Sequence, residues 1–178
     1  MPWLKAFVSR VVRIFGYRLV DTRSGLPSAE DPLATVIYEL CARADEGGIE
    51  TLPARHRTVV HAWAAHGIIS NGGFKYYYEG DWMMADVAAA YRTLGFEAAA
   101  RACDASLEIF PARVPPQDEE RRAAIVEQAD FTTFANADEI FRVTFDALKT
   151  AIGEYMDRHP QDFAELLRAA RGHHTRAT

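Results

Sequence analysis

The sequence predicts an all-α fold: a compact multi-helix bundle preceded by a basic amphipathic N-terminal helix. Three observations carry the prediction. Apolar residues recur at three- and four-residue spacing through most long segments, which lines one face of a helix. Glycine and proline fall between those segments, where they stop and start helices. No run alternates apolar and polar residues as a half-buried strand would, and no internal repeat is visible. With 178 residues, 49% hydrophobic and 25% charged, the chain is most simply one domain plus appendages, large enough for a real core.

Residues 1–27 are read as a basic helix and linker. Trp3, Leu4, Phe7, Val8, Val11, Ile14 and Phe15 project onto one arc, while Lys5, Ser9, Arg10 and Arg13 occupy the other. Arginines interrupt the apolar run and no small-residue cleavage site follows, so the segment makes a poor secretory signal. Its apolar face needs cover. Three are open: its own domain, an anionic membrane surface, or a partner's groove, with Trp3, Lys5, Phe7, Arg10 and Arg13 as the contacts to membrane or partner.

The helical domain is expected over residues 28–172, with a frayed tail at 173–178. Asp31-Pro32 is an N-cap followed by proline at the first helical position; Leu33, Val36, Ile37, Leu40, Cys41 and Ala44 form the stripe, and Gly47-Gly48 ends it. Pro53 opens a second helix with Val59, Val60 and Trp63 inward. Asp81 is expected to cap a helix carrying Met83, Val87 and Tyr91, closed by Gly95. Phe96, Ala99, Ala100, Cys103, Leu107 and Phe110 make the next stripe, stopped by Pro111. Pro115-Pro116 marks a loop before an acidic helix, since Asp118 to Glu139 holds seven acids against two arginines. From Asn136 one long helix is expected to turn Phe141, Phe145, Leu148, Ile152 and Tyr155 inward, with Asp138/Arg142 as an outer pair. Pro160 opens the last helix, with Phe163, Leu166, Leu167 and Ala170, and Gly172 closes it.

The organising stretch is Ile68 to Trp82. Asn71-Gly72-Gly73 cannot sit comfortably inside a helix, because glycine takes positive φ freely and asparagine tolerates it. The corner therefore joins two amphipathic helices. Eight of the chain's 20 aromatic residues lie between Trp63 and Phe96, so this region is either the anchor of the core or a contact surface. Neighbours on a helix point ~100° apart, so at least one of Tyr76, Tyr77 and Tyr78 must reach solvent or a partner.

Metal and catalytic patterns are weak. His56, His61 and His66 are five apart, which turns successive rings by ~140° and keeps them off a shared face. No His-Glu-x-x-His, Gly-rich phosphate loop or Gly-x-Ser-x-Gly is present, and His173-His174 is at best an adventitious metal binder. Cys41 and Cys103 read as buried free thiols of a reducing compartment. No enzyme, metal site or cofactor is expected.

Asn71, Gly72, Gly73 and Phe74, followed by aromatic Tyr77 and Tyr78 and a turn at Leu94-Gly95-Phe96, resemble the signature of a family. It is the helical domain of unknown function named after a bacterial DNA-mimic protein, DNA mimic protein nineteen. The resemblance spans about Leu33 to about Phe163. It departs at two positions: Tyr76 stands where the family has glutamine and Gly80 where it has asparagine. The resemblance implies a mostly helical fold that can form a homodimer, without established catalysis. Its namesake resembles duplex DNA in surface charge and occupies the DNA-binding face of a transcription factor.

Charge limits that transfer. From Ser28 onward, 24 acids against 15 bases leave a net charge of −9 (15 − 24), while a ~50 Å length of duplex carries ~30 negative charges. The mildly acidic chain, net −5 overall, is also no general nucleic-acid binder. The function expected is a non-catalytic protein-interaction or regulatory module with an unknown protein partner. Its contact candidates are Asn71, Gly72, Gly73, Phe74, Tyr76, Tyr77, Tyr78 and Trp82, with an acidic face at Glu119, Glu120, Glu127 and Asp130. The alternatives are a DNA mimic and a membrane-surface adaptor. The expected location is cytoplasmic, membrane-peripheral if the N-terminal helix lies on a bilayer; no run is apolar enough to span one.

Overall fold

The structure, a computed structural model, describes residues 31–81 and 83–174. The segment expected to form a basic N-terminal helix, with Trp3, Lys5, Phe7, Arg10 and Arg13, lies outside the described residues, as do Trp82 and the last four residues. Eight α-helices and no strand are found among the described residues: α1 (Pro32–Gly47), α2 (Ala54–Gly80), α3 (Met84–Thr93), α4 (Glu97–Ser106), α5 (Glu119–Gln128), α6 (Phe131–Ile140), α7 (Phe145–Arg158) and α8 (Pro160–His174). Single 3₁₀ turns lie at Ile49–Thr51, Leu107–Ile109 and Pro111–Arg113. The all-α expectation is met.

Two compact units divide the chain. The first takes the described residues up to Val60 and those from Lys149 onward. In it α1 packs on α8. Val36, Ile37, Leu40 and Ala44 of α1 and Ile152, Met156 and Phe163 of the C-terminal helices are all buried. Asp31 caps α1 as the sequence suggested, accepting the Ala34 N–H at 3.0 Å, while its second oxygen meets the Lys149 ammonium. One carboxylate thereby fixes both a helix start and a distant side chain.

The second unit is His61–Leu148. Here α3 packs on α4 and α4 on α6. The alanine-rich face of α4 (Ala99, Ala100, Ala102, with Cys103) is buried, and small side chains permit that close approach. Gly95 ends α3 at φ 86°, and Phe96 returns its N–H to the Tyr91 carbonyl at 2.8 Å.

Four boundaries differ from expectation. Asp81 does not cap α3; Met83 holds that position, and Asp81 Oδ1 accepts the Met83 N–H at 2.8 Å, one step ahead of the helix. The acidic segment is two helices, because Asp130 turns back to cap α6 through the Thr132 N–H at 2.9 Å. No long helix runs on from Asn136: an extended joint separates α6 from α7. Phe141 and Val143 are buried there while Arg142 and Thr144 are exposed, an alternation that only extended backbone gives. Gly172 does not close α8, which continues to His174.

Candidate functional site

The aromatic stretch is built on an interrupted helix. α2 is helical except at Gly73, where φ is 76° and ψ −179°. Side chains rarely adopt that φ, so glycine is required. Position 73 is also crowded: a Cβ there would lie 2.6 Å from Asp138 Oδ2. The same carboxylate accepts the Phe74 N–H through Oδ1 at 2.9 Å. The interruption frees that amide, as any helix start does, and Asp138 supplies its missing acceptor. Burial raises the Asp138 pKa, opposed by the Phe74 N–H bond. The expected outer pair with Arg142 is replaced: Asp138 turns inward, and Arg142 donates instead to its main-chain carbonyl at 3.3 Å.

On the near side of the corner, Asn71 Nδ2 donates to the Gly67 carbonyl at 2.6 Å. Gly72 makes room for Tyr76, since a Cβ at Gly72 would meet the tyrosine ring at 2.5 Å. Asn71 and Gly72 are exposed, and Tyr76 is half-buried.

Most of the aromatic residues are core. Phe74, Tyr77 and Tyr78 are buried. Phe74 meets Phe141 edge-on at 5.7 Å and Tyr78 meets Phe110 at 4.8 Å. The Tyr78 hydroxyl pairs with Ser106 Oγ at 2.7 Å. Burial, and then the nearby charge of Asp81, push the Tyr77 pKa well up, so this phenol stays protonated. Of the three consecutive tyrosines, Tyr76 is the one that reaches solvent.

Arg122 escapes the sequence reading, which counts it only as a base on an acidic helix. It is 2% exposed. Its Nε donates to the Tyr78 carbonyl at 2.7 Å, and Nη1 donates to the carbonyls of Pro116 at 2.8 Å and Gln117 at 3.1 Å. The planar guanidinium serves the C-terminal end of α2 and the proline loop together, a geometry suited to a fork of donors facing the negative end of a helix. Burial lowers its pKa, against the charges of Asp81 and Glu119. The available signal is its spacing: Arg122 precedes Val126 by one helical turn, and these two are the buried positions of α5.

The acidic candidates point the other way. Glu119, Glu120, Glu127 and Asp130 are all exposed. Glu119 and Glu120 occupy the first turn of α5, where the helix dipole favours negative charge, and Asp118 caps that helix through the Arg121 N–H at 2.8 Å. Asp130 has its pKa lowered by its bond to the Thr132 N–H.

The histidines pack. In the first unit His56 Nε2 lies 2.8 Å from the Asp162 carbonyl, and in the second His66 Nε2 lies 2.9 Å from the Val143 carbonyl. A carbonyl only accepts, so each Nε2 carries hydrogen. His61 is buried as well. Among the described residues, no group of three or more His, Cys, Asp or Glu side chains could hold a metal ion. Cys41 and Cys103 are free and buried; burial pushes the Cys41 thiol up to about 12 and raises Cys103 too, so neither is a ready thiolate. Among the described residues no helix is long and apolar enough to cross a membrane.

Fold and corner together define an all-helical domain in which a glycine break, clamped by one carboxylate, sets the course of an aromatic helix. The chain belongs to the DMP19-like protein family, which matches residues 50–173. That span runs from the 3₁₀ turn ahead of α2 into the last turn of α8, and includes every residue of the corner. No match was found among curated proteins or among solved structures.

Proposed function

We propose that the chain is a non-catalytic protein-interaction or regulatory module that meets a protein partner through the acids of α5 and the α5–α6 joint. One observation carries this reading. The polar groups drawn inward at the corner (His66, Arg122 and Asp138) bond main-chain groups and hold architecture, whereas Glu119, Glu120, Glu127 and Asp130 face solvent. These four exposed acids outnumber the exposed Arg121 of α5, and a net negative surface steers association with surfaces of the other sign.

Membership of the family favours a narrower second reading, in which the partner is a DNA-binding protein whose basic face these acids occupy. Affinity capture with the full chain, followed by mass spectrometry, identifies the partner. A basic DNA-binding protein displaced by duplex DNA supports mimicry; one that duplex DNA leaves in place supports only the broader reading. The charge test is Glu119→Lys, Glu120→Lys and Glu127→Lys with Asp130→Asn, because asparagine still caps α6. Partner binding unaffected by that variant would remove both readings.

A further inference from the structure

Asn71 is followed by glycine, the neighbour that least shields its own amide nitrogen from the asparagine side chain. Both residues are exposed, so water reaches them. In an unfolded chain this dipeptide closes readily into a five-membered imide. The corner opposes that closure in three ways. The Asn71 carboxamide is folded back onto the Gly67 carbonyl at 2.6 Å, away from the Gly72 nitrogen. Asn71 and Gly72 are helical, and helical ψ, near −42°, keeps the following nitrogen out of line with Cγ. The Tyr76 ring lies 2.5 Å from where a Gly72 Cβ would stand and so crowds one side of that backbone. All three depend on the helical turn that ends at Gly73; Asp138 caps the helix that resumes at Phe74 and so fixes the far side of the same corner.

We infer that Asn71–Gly72 is a latent self-modification site held shut by Asp138. When the corner opens, the Gly72 nitrogen attacks Asn71 Cγ. The N–Cγ bond forms, the amide proton passes to water, and the Cγ–Nδ2 bond breaks as ammonia leaves. Water then adds to either imide carbonyl and opens the ring to aspartate or isoaspartate. The chain loses ammonia and gains water, with no redox step. Either product adds a negative charge beside the corner. Isoaspartate also places an extra carbon in the main chain, so the turn ahead of Gly73 cannot re-form and the change runs one way.

The test incubates the full chain in mildly alkaline buffer and follows position 71 by peptide mass mapping and enzymatic isoaspartate methylation. Four samples are compared: the native protein, the same chain in urea, Asp138→Ala, and Leu148→Ala, which lowers stability by emptying a fully buried position of α7. The native chain is expected to convert about tenfold or more slowly than the chain in urea, as local opening requires. Asp138→Ala is expected to convert faster than Leu148→Ala when the two are compared at matched global stability, and Asp138→Asn, which keeps an acceptor for Phe74, to behave like the native chain. Equal rates for native and urea-unfolded chain would overturn the inference. So would equal rates for the alanine variants at matched stability, and, if Asp138→Ala does not fold, so would an Asp138→Asn chain that converts as fast as the urea sample.

Discussion

Asp138 Oδ1 accepts the Phe74 N–H at 2.9 Å across 64 positions of sequence, while the other carboxylate oxygen lies 2.6 Å from where a Gly73 Cβ would stand. A single side chain therefore closes the helix break, blocks any Cβ at its apex and ties α6 to α2. The corner gives each of its parts a measurable weight.

Gly73 and Gly95 separate two effects of glycine. Both have positive φ, but a Cβ at Gly95 would meet nothing within 4 Å. Gly95→Ala should cost only the left-handed penalty, about 1–2 kcal/mol. Gly73, with ψ at −179°, sits in a region open essentially to glycine alone, and Gly73→Ala adds the collision with Asp138, so it should cost about 2–5 kcal/mol. Urea unfolding of both variants reads the difference, and equal losses would show that the carboxylate yields freely.

Replacing Asp138 by alanine leaves the Phe74 N–H without its acceptor, a loss of about 1–3 kcal/mol. Asp138→Asn keeps an acceptor oxygen and should lose less. The pH dependence has a definite sign. The folded carboxyl holds its proton more tightly than an unfolded aspartate, so this group's contribution to stability falls as pH rises from the usual aspartate value through the raised one. Asp138→Asn should remove that slope from a plot of unfolding midpoint against pH.

His66 works in the opposite direction. Burial lowers its pKa, against the bond to the Val143 carbonyl, so the folded state favours the neutral ring. Its stabilising contribution is present above the unfolded value of about 6.5 and is lost as pH falls below it. A urea midpoint that declines between about pH 7 and pH 5, less steeply in His66→Gln, is the expected result.

Arg122 should be the most sensitive charged residue of α5. Arg122→Ala strands the carbonyls of Tyr78, Pro116 and Gln117 and should cost about 1–3 kcal/mol. Lysine offers a point charge instead of a fork and should recover only part. Arg121→Ala, on the exposed side of the same helix, should change the thermal midpoint little.

Local rules were readable in the chain. Asp31-Pro32, Gly95 and Pro160 act where their backbone chemistry places them, since caps and stops involve only near neighbours. The aromatic-rich corner was also visible, and so was the need for one of Tyr76, Tyr77 and Tyr78 to face outward. The family was legible in Asn71-Gly72-Gly73-Phe74. The candidate site was legible only in part: the acids of α5 could be named, but the side chains that organise the corner behind them could not.

The sequence by itself determined that this is a helical protein with a glycine break among aromatic residues, because periodicity and glycine φ are properties of neighbouring residues. Only the tertiary structure decided that Asp138 turns inward to Phe74, that Arg122 is buried among carbonyls, and that α6 and α7 part at an extended joint. Each of those outcomes depends on a polar group finding a partner tens of positions away; spacing can place Arg122 on the buried side of α5, but it does not name the carbonyl that the side chain meets.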